Sequence, residues 1–183
     1  MPDSQSDYID ILNFWWSAGH EKWWVKNEAF DKEIEQRFVG AHGRAAAGAL
    51  DDWLDDPARA LAYVILLDQF SRNLFRQSAE AFNYDAQALA GAKKAIAHGF
   101  DKVFPNPARS FFYTPFMHCE DMAEQHMSVE LHRRYGEKET YHYALIHMDV
   151  IRRFGRFPHR NAVLGRETTE DEAAYLRSGG FSA

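Results

Sequence analysis

Cysteine is almost absent from this chain, which has a single residue of this type, Cys119, among 183 residues. A lone cysteine cannot form an internal disulfide, so nothing calls for an oxidising compartment. Long apolar runs are also missing, since the longest covers only residues 60–67, against roughly 20 residues for a membrane-spanning helix. The first residues have neither the basic start nor the apolar stretch of a signal peptide. The sequence therefore predicts a soluble, cytoplasmic protein without a membrane partner.

Basic residues are outnumbered, with 21 Lys and Arg against 27 Asp and Glu, and the formal net charge is -6. This balance disfavours general nucleic-acid binding, which normally needs a basic face. The sequence also lacks a Gly-rich phosphate loop, a His-Glu-x-x-His motif, a Cys pair at zinc spacing and a nucleophile elbow. No cofactor and no metal are therefore assigned from motifs.

Aromatic residues, by contrast, are abundant at 15% of the chain, which is enough apolar surface for a packed core. Apolar positions recur with helical spacing, and no alternating strand pattern of convincing length is present. These features predict a single all-α domain over residues 1–183. About seven or eight helices are expected, packed as antiparallel hairpins in a tetratricopeptide-like bundle or short solenoid.

Capping residues, prolines and glycines predict where the helices begin and end. Asp56 and Thr114 each precede a proline, which is typical of a helix start. The predicted elements are a loop from Gly40 to Ala49, a helix from Pro57 towards Leu74, a helix from Pro115 to about Arg134, a helix from about Lys138 to Phe154, and a last helix capped by Thr168 or Thr169.

The clearest candidate site is the turn formed by residues 154–161, where a glycine and a proline stop a helix. Residues 150–166 contain five arginines and no Lys, Asp or Glu, inside an acidic chain. Arginine suits planar oxyanions because its fork donates two parallel hydrogen bonds. The turn therefore indicates either a small anionic ligand or a buried network of arginines paired with distant carboxylates such as Asp68, Glu120 or Asp121.

Two further segments carry ionisable residues at helical spacing. Asp68 and Arg72 are four residues apart and so share one helix face. His118 and Asp121 also share a face, which is suitable for a base and its orienting partner. His147 lies on the apolar stripe of the helix that leads into the arginine-rich turn. Each of these residues also has a purely structural interpretation as a helix-surface pair, a cap or a hydrogen-bonded core histidine.

Several blocks resemble the bacterial family catalogued as domain of unknown function 924. They are residues 67–70 with Arg72 and Asn73, residues 112–121, His147, residues 154–161, and residues 164–166. The resemblance implies an all-helical fold of tetratricopeptide-like type, and it implies no activity. The chain departs from the family pattern at Ser71, where the family tends to have Pro, and at Cys119, where it tends to have Ser.

The first functional hypothesis is a site that binds, and in an enzyme would also transform, a small anionic ligand. Arginines would hold the anion, and a histidine oriented by Asp68 or Asp121 would transfer a proton. The catalytic candidates are His118, Asp121, His147 and His159. The ligand-binding candidates are Asp68, Arg72, Asn73, Tyr113, Glu120, Arg156, Arg160 and Asn161.

Two alternatives stay open. In one, the chain is a tetratricopeptide-like interaction module that binds a protein partner, and the ionic residues are structural. In the other, a metal-dependent hydrolase uses His118, Asp121 and His147. The sequence does not decide whether the protein is an enzyme.

Overall fold

A computed structural model describes residues 4–182 of the chain. These residues form helices and no strand, which confirms the predicted all-α class. The helices are α1 (Ser4–Ala18), α2 (His20–Trp23), α3 (Glu28–Ala46), α4 (Pro57–Val64), α5 (Ser71–Leu74), α6 (Asp85–Ala97), α7 (Thr114–Met117), α8 (Met122–Tyr135), α9 (Lys138–Phe154) and α10 (Glu170–Arg177). Short 3-10 turns are found at Asp51–Asp55, Ala79–Phe82, Phe100–Val103, Ala108–Phe112 and Pro158–Arg160.

Local capping explains the boundaries that the sequence predicted correctly. The Asp56 carboxylate accepts hydrogen bonds from the first backbone N–H groups of α4, at 3.0 Å each. Thr169 caps α10 and forms a capping box with Glu172. Gly155 ends α9 in the left-handed conformation, with φ of 69°, which costs glycine little.

The predicted loop from Gly40 to Ala49 is wrong, because α3 continues through Gly40 to Ala46. Beyond that glycine, Ala41, His42 and Ala45 are buried against the rest of the fold. An interior glycine costs a helix only about 1 kcal/mol. Tertiary packing of the following turn therefore outweighs the local preference of glycine.

The predicted continuous helix from Pro115 to Arg134 is also wrong. The short helix α7 ends at Met117, and a new helix, α8, begins after Asp121. Asp121 is the N-cap of α8 and accepts from two backbone N–H groups at 2.8 and 3.2 Å. The Thr114 side chain does not cap α7, because its hydroxyl donates to Asp68 and to the carbonyl of Phe111. The break places His118 in the connection between two helices.

The helix that begins at Pro57 contains a π-helical segment, Ile65–Phe70, between α4 and α5. All six of its residues are buried. A π-helical turn inserts an extra residue into the helical register and is often found at functional sites. Here it carries Asp68 into the interior.

Two apolar clusters form the core. In the larger one, the ring of the fully buried Trp15 lies 5.6 Å from those of both Phe70 and Phe111. The smaller one is built on Val150, Ile151 and Phe157 and involves α9 and α10. The connection between α8 and α9 is short, and the two helices pack closely as a hairpin. Among the described residues, no helix combines the length and apolar character needed to cross a membrane.

Candidate functional site

Asp68 is the buried centre of the candidate site and has no exposed side-chain surface. Its carboxylate accepts hydrogen bonds from Thr114 Oγ1 at 2.9 Å, Gln69 Nε2 at 2.6 Å and His118 Nδ1 at 2.7 Å. Burial alone would raise the pKa of the Asp68 carboxyl. Interactions with His118 and Arg72 and the donated hydrogen bonds outweigh that effect and hold the pKa well below its usual range. Asp68 is therefore ionised at neutral pH.

The Asp68 carboxylate orients His118. An ionised carboxylate only accepts hydrogen bonds, so His118 Nδ1 is the donor and Nε2 is unprotonated when the ring is neutral. Burial lowers the pKa of His118, and the charge of Arg72 lowers it further against the opposing effect of Asp68. A neutral imidazole fixed by a carboxylate is the arrangement of a general base.

Arg72 connects Asp68 to a second carboxylate, Asp85. Arg72 Nη1 donates to the Asp68 carbonyl at 2.5 Å and lies 3.4 Å from Asp68 Oδ1. Arg72 Nη2 donates to Asp85 Oδ2 at 3.1 Å. Asp85 was not among the predicted site residues. Its position in the first turn of α6 is typical of an acid that stabilises a helix dipole, so the sequence carries no signal for this contact.

Arg160 is buried at the end of the 3-10 turn Pro158–Arg160, with 6% of the residue exposed. Its guanidinium carbon lies 4.5 Å from the ring centroids of both Phe82 and Phe157. Nη1 donates to Asp85 Oδ2 at 3.4 Å, and the buried Nε has no acceptor within residues 4–182. Burial and the nearby Arg72 lower the pKa of Arg160 to about 10, although Asp85 partly compensates. The guanidinium is thus poorly paired for a buried cation.

Two further histidines complete the site. The ring of His147 lies 6.2 Å from that of His118, and its Nδ1 donates to the Tyr143 carbonyl at 2.8 Å. Burial, together with nearby positive groups, lowers the pKa of His147 to about 3. Burial and Arg160 lower the pKa of His159 to about 4. Its buried Nδ1 has no hydrogen-bond partner within the described part of the chain.

We call this group the His–Arg cluster. Its members are Asp68, Arg72, Asp85, His118, His147, His159 and Arg160.

Arg156 and Arg166 lie in a separate group, the paired-arginine network. Arg156 donates to Glu172 through Nε at 2.6 Å and through Nη2 at 2.9 Å. Arg166 donates to Glu120 through Nη1 at 2.6 Å and through Nη2 at 3.0 Å. Asn161 links the two pairs, since it donates to Glu172 at 3.2 Å and accepts from Arg166 at 3.0 Å. The expectation that Arg156 would join Arg160 in one site therefore does not match the geometry, because Arg156 is committed to Glu172.

The family model for "Bacterial protein of unknown function (DUF924)" matches residues 11–180 of the chain. The chain belongs to this family. Its structure is similar to that of a protein of unknown function from Agrobacterium tumefaciens, with a TM-score of 0.94 and 43% sequence identity. The similarity covers 97% of this chain and 100% of the other. No curated protein matches the chain.

Three predicted site residues of this DUF924 protein lie in neither the His–Arg cluster nor the paired-arginine network. Asp121 caps α8 instead of orienting His118. Asn73 donates to Asp31 at 2.8 Å. Tyr113 is buried and donates to Asp101 at 2.8 Å. Each of these side chains therefore has a hydrogen-bond partner outside the His–Arg cluster.

Two open depressions lie away from the cluster. One depression of about 330 Å³ lies beside Tyr63 and Lys94, and another of about 340 Å³ lies beside Phe38 and Arg44. Within residues 4–182, no three His, Cys, Asp or Glu side chains are grouped so that they could hold a metal ion. The metal-site hypothesis of His118, Asp121 and His147 is therefore not supported by the geometry.

Proposed function

We propose that the His–Arg cluster binds a small anionic molecule and can transfer a proton to or from it. The observation that carries this proposal is the incomplete pairing of Arg160. Its buried guanidinium makes one hydrogen bond, at 3.4 Å, among the described residues, and its Nε makes none. An unsatisfied buried donor costs about 1–3 kcal/mol, and more when it is charged. A bound oxyanion would remove that cost.

The cluster favours an oxyanion at Arg160 because both nearby carboxylates, Asp68 and Asp85, also pair with Arg72. The Asp68 carboxylate accepts hydrogen bonds from Gln69, Thr114 and His118. It also pairs with Arg72. Asp85 is shared between Arg72 and Arg160. A phosphate or carboxylate would supply the additional acceptor oxygens that a guanidinium fork binds well.

Proton transfer is assigned to His118. Its Nδ1 is held by Asp68, so Nε2 is the atom that can accept a proton from a bound molecule or a water. Lowered pKa values at His118 and His147 keep both rings in the neutral, basic form near pH 7. If the protein is an enzyme, His118 is the base and Arg160 is the group that positions the anion.

Arg160→Lys tests this assignment by isothermal titration with inorganic phosphate and with acetate. Lysine retains the positive charge but lacks the Nε donor and the planar fork, so we expect affinity for the better-bound anion to fall about tenfold or more. Arg156→Lys is the matched control, because Arg156 is already paired with Glu172. It is expected to leave the affinity unchanged. Equal affinities for wild type and folded Arg160→Lys, or no binding of either anion to wild type, would contradict the proposal.

The alternative function is a tetratricopeptide-like interaction module formed by one helical domain. The α8–α9 hairpin and the fully engaged paired-arginine network support it. So does an aromatic surface on which Trp24, 48% exposed, stacks on Phe111 next to Val25, 59% exposed. This alternative is favoured if wild type binds neither anion and Arg160→Lys only lowers the melting temperature.

A further inference from the structure

Phe181 lies on the aromatic side of the His–Arg cluster. Its ring centroid is 4.2 Å from that of His147 and 5.4 Å from that of His159. It also lies 6.4 Å from the ring of Phe157, in an edge-to-face arrangement. Arg160 rests on the same Phe157 ring, at 4.5 Å. Phe157 thus contacts both the poorly paired guanidinium of Arg160 and the ring of Phe181.

The chain reaches this position by turning back sharply after α10. Gly179 adopts the left-handed conformation, with φ of 79°. A Cβ on Gly180 would lie only 2.5 Å from the ring of Tyr175, so the backbone at Gly180 passes close to the Tyr175 side chain. The Phe181 N–H then donates to the Tyr175 hydroxyl at 2.8 Å. This turn directs the Phe181 ring onto the two imidazoles.

The Phe181 contact is well suited to reversible release. The ring is only partly buried, and the residue follows the last helix instead of being part of it. Segments with few buried contacts open at a small fraction of the free energy of global unfolding. The surface beneath, made by Phe157, His147 and His159, can contact another aromatic ring in the same tilted and edge-to-face arrangements.

We infer that Phe181 is an intramolecular placeholder in the apolar half of the anion site, and that the anion which binds there carries an aromatic group that displaces it. The ligand class is therefore an aryl phosphate or aryl carboxylate. The anionic end would pair with Arg160, and the aromatic end would take the position of the Phe181 ring on His147 and His159. This inference rests on the function proposed above and adds the chemistry of the second half of the ligand.

Isothermal titration of the full chain with phenyl phosphate and inorganic phosphate tests the inference. Phe181→Ala removes the competing ring, so phenyl phosphate is expected to bind about tenfold more tightly than to wild type, because the site no longer has to open first. Inorganic phosphate has no aromatic group to place there, and its affinity is expected to stay unchanged. Phe104→Ala is the matched control: this partly buried phenylalanine packs on the larger core, and its loss should change neither affinity.

Tyr175→Phe is a second variant that keeps the ring of Phe181 and removes the hydroxyl that accepts its N–H. It is also expected to bind phenyl phosphate more tightly than wild type does. It tests the same inference if Phe181→Ala fails to fold. Weaker or unchanged phenyl phosphate binding in these variants would overturn the placeholder assignment, as would an equal gain for inorganic phosphate. In those cases Arg160-dependent phosphate binding would still support the anion site. Absence of binding by either probe to any variant would overturn both.

Discussion

Asp68→Ala is expected to lower the free energy of unfolding by about 3–5 kcal/mol, the usual cost of removing one partner of a buried ion pair. Asp68 is fully buried and is the common acceptor for Thr114, Gln69 and His118. Its removal takes the acceptor from Gln69 and His118, while Thr114 keeps the Phe111 carbonyl, and it takes one of two carboxylates from Arg72. The loss is measured by urea denaturation at pH 7.

Two other aspartate variants serve as comparisons in that experiment, one at an exposed cap and one that removes only the charge of Asp68. Asp56→Ala removes a capping carboxylate at the start of the same helix and is expected to cost about 1 kcal/mol. Asp68→Asn keeps the shape of the side chain and one acceptor oxygen, so its cost should lie between the two. If Asp68→Ala costs no more than Asp56→Ala, the carboxylate at the centre of the cluster contributes little to the fold.

Features of the fold that depend on neighbouring residues could be predicted from the sequence. The cap at Asp56, the stop at Gly155 and the capping box at Thr169 all use side chains within a few residues of the backbone groups that they satisfy. Their effect depends little on the rest of the chain. The predicted end of α9 at Phe154 is confirmed for this reason.

Features that depend on distant packing could not be predicted in this way. The helix stop expected at Gly40 is absent because the turn beyond it packs against the rest of the fold. In that turn, His42 Nε2 lies 2.8 Å from Ser71 Oγ. The π-helical segment Ile65–Phe70 has no sequence signature, yet it sets the position of Asp68. Both outcomes follow from tertiary contacts that outweigh local propensity.

The candidate site shows the same division. The sequence identified Arg156 and Arg160 as equals, but Glu172 engages the first and leaves the second poorly paired. Asp85, which contacts Arg160, is 75 positions away along the chain. Phe181 was not predicted at all, because a lone phenylalanine after a glycine pair has no recognisable pattern. Only the fold shows which arginines already have acceptors.

The two arginine groups therefore have different physical characters. In the paired-arginine network, each guanidinium has a carboxylate in bidentate geometry, which accounts for Arg156 and Arg166 without a ligand. In the His–Arg cluster, two guanidiniums share Asp85, and three neutral imidazoles surround them. Under the proposed function, this second group is the one that binds the anion.

Acid is expected to destabilise the protein strongly between pH 6.5 and pH 4. Burial, as the largest effect, lowers the pKa of His132 to about 4, of His147 to about 3 and of His159 to about 4. In the unfolded chain these imidazoles take up protons near pH 6.5. The unfolded state therefore binds more protons than the folded state in this range, and the free energy of unfolding falls as the pH falls. The stabilising effect of keeping these rings neutral is fully present above about pH 7.

The expected loss is about 1–2 kcal/mol for each of these histidines by pH 5, which together is a large part of a typical folding free energy. Urea denaturation at pH 7, 6 and 5 measures it. His147→Gln should reduce the dependence on pH, because glutamine cannot take up a proton in the unfolded state. His126→Gln, at an exposed position of α8, should leave it unchanged. A free energy of unfolding that stays constant from pH 7 to pH 5 would contradict this prediction, because it would show that these buried imidazoles can be protonated in the folded protein.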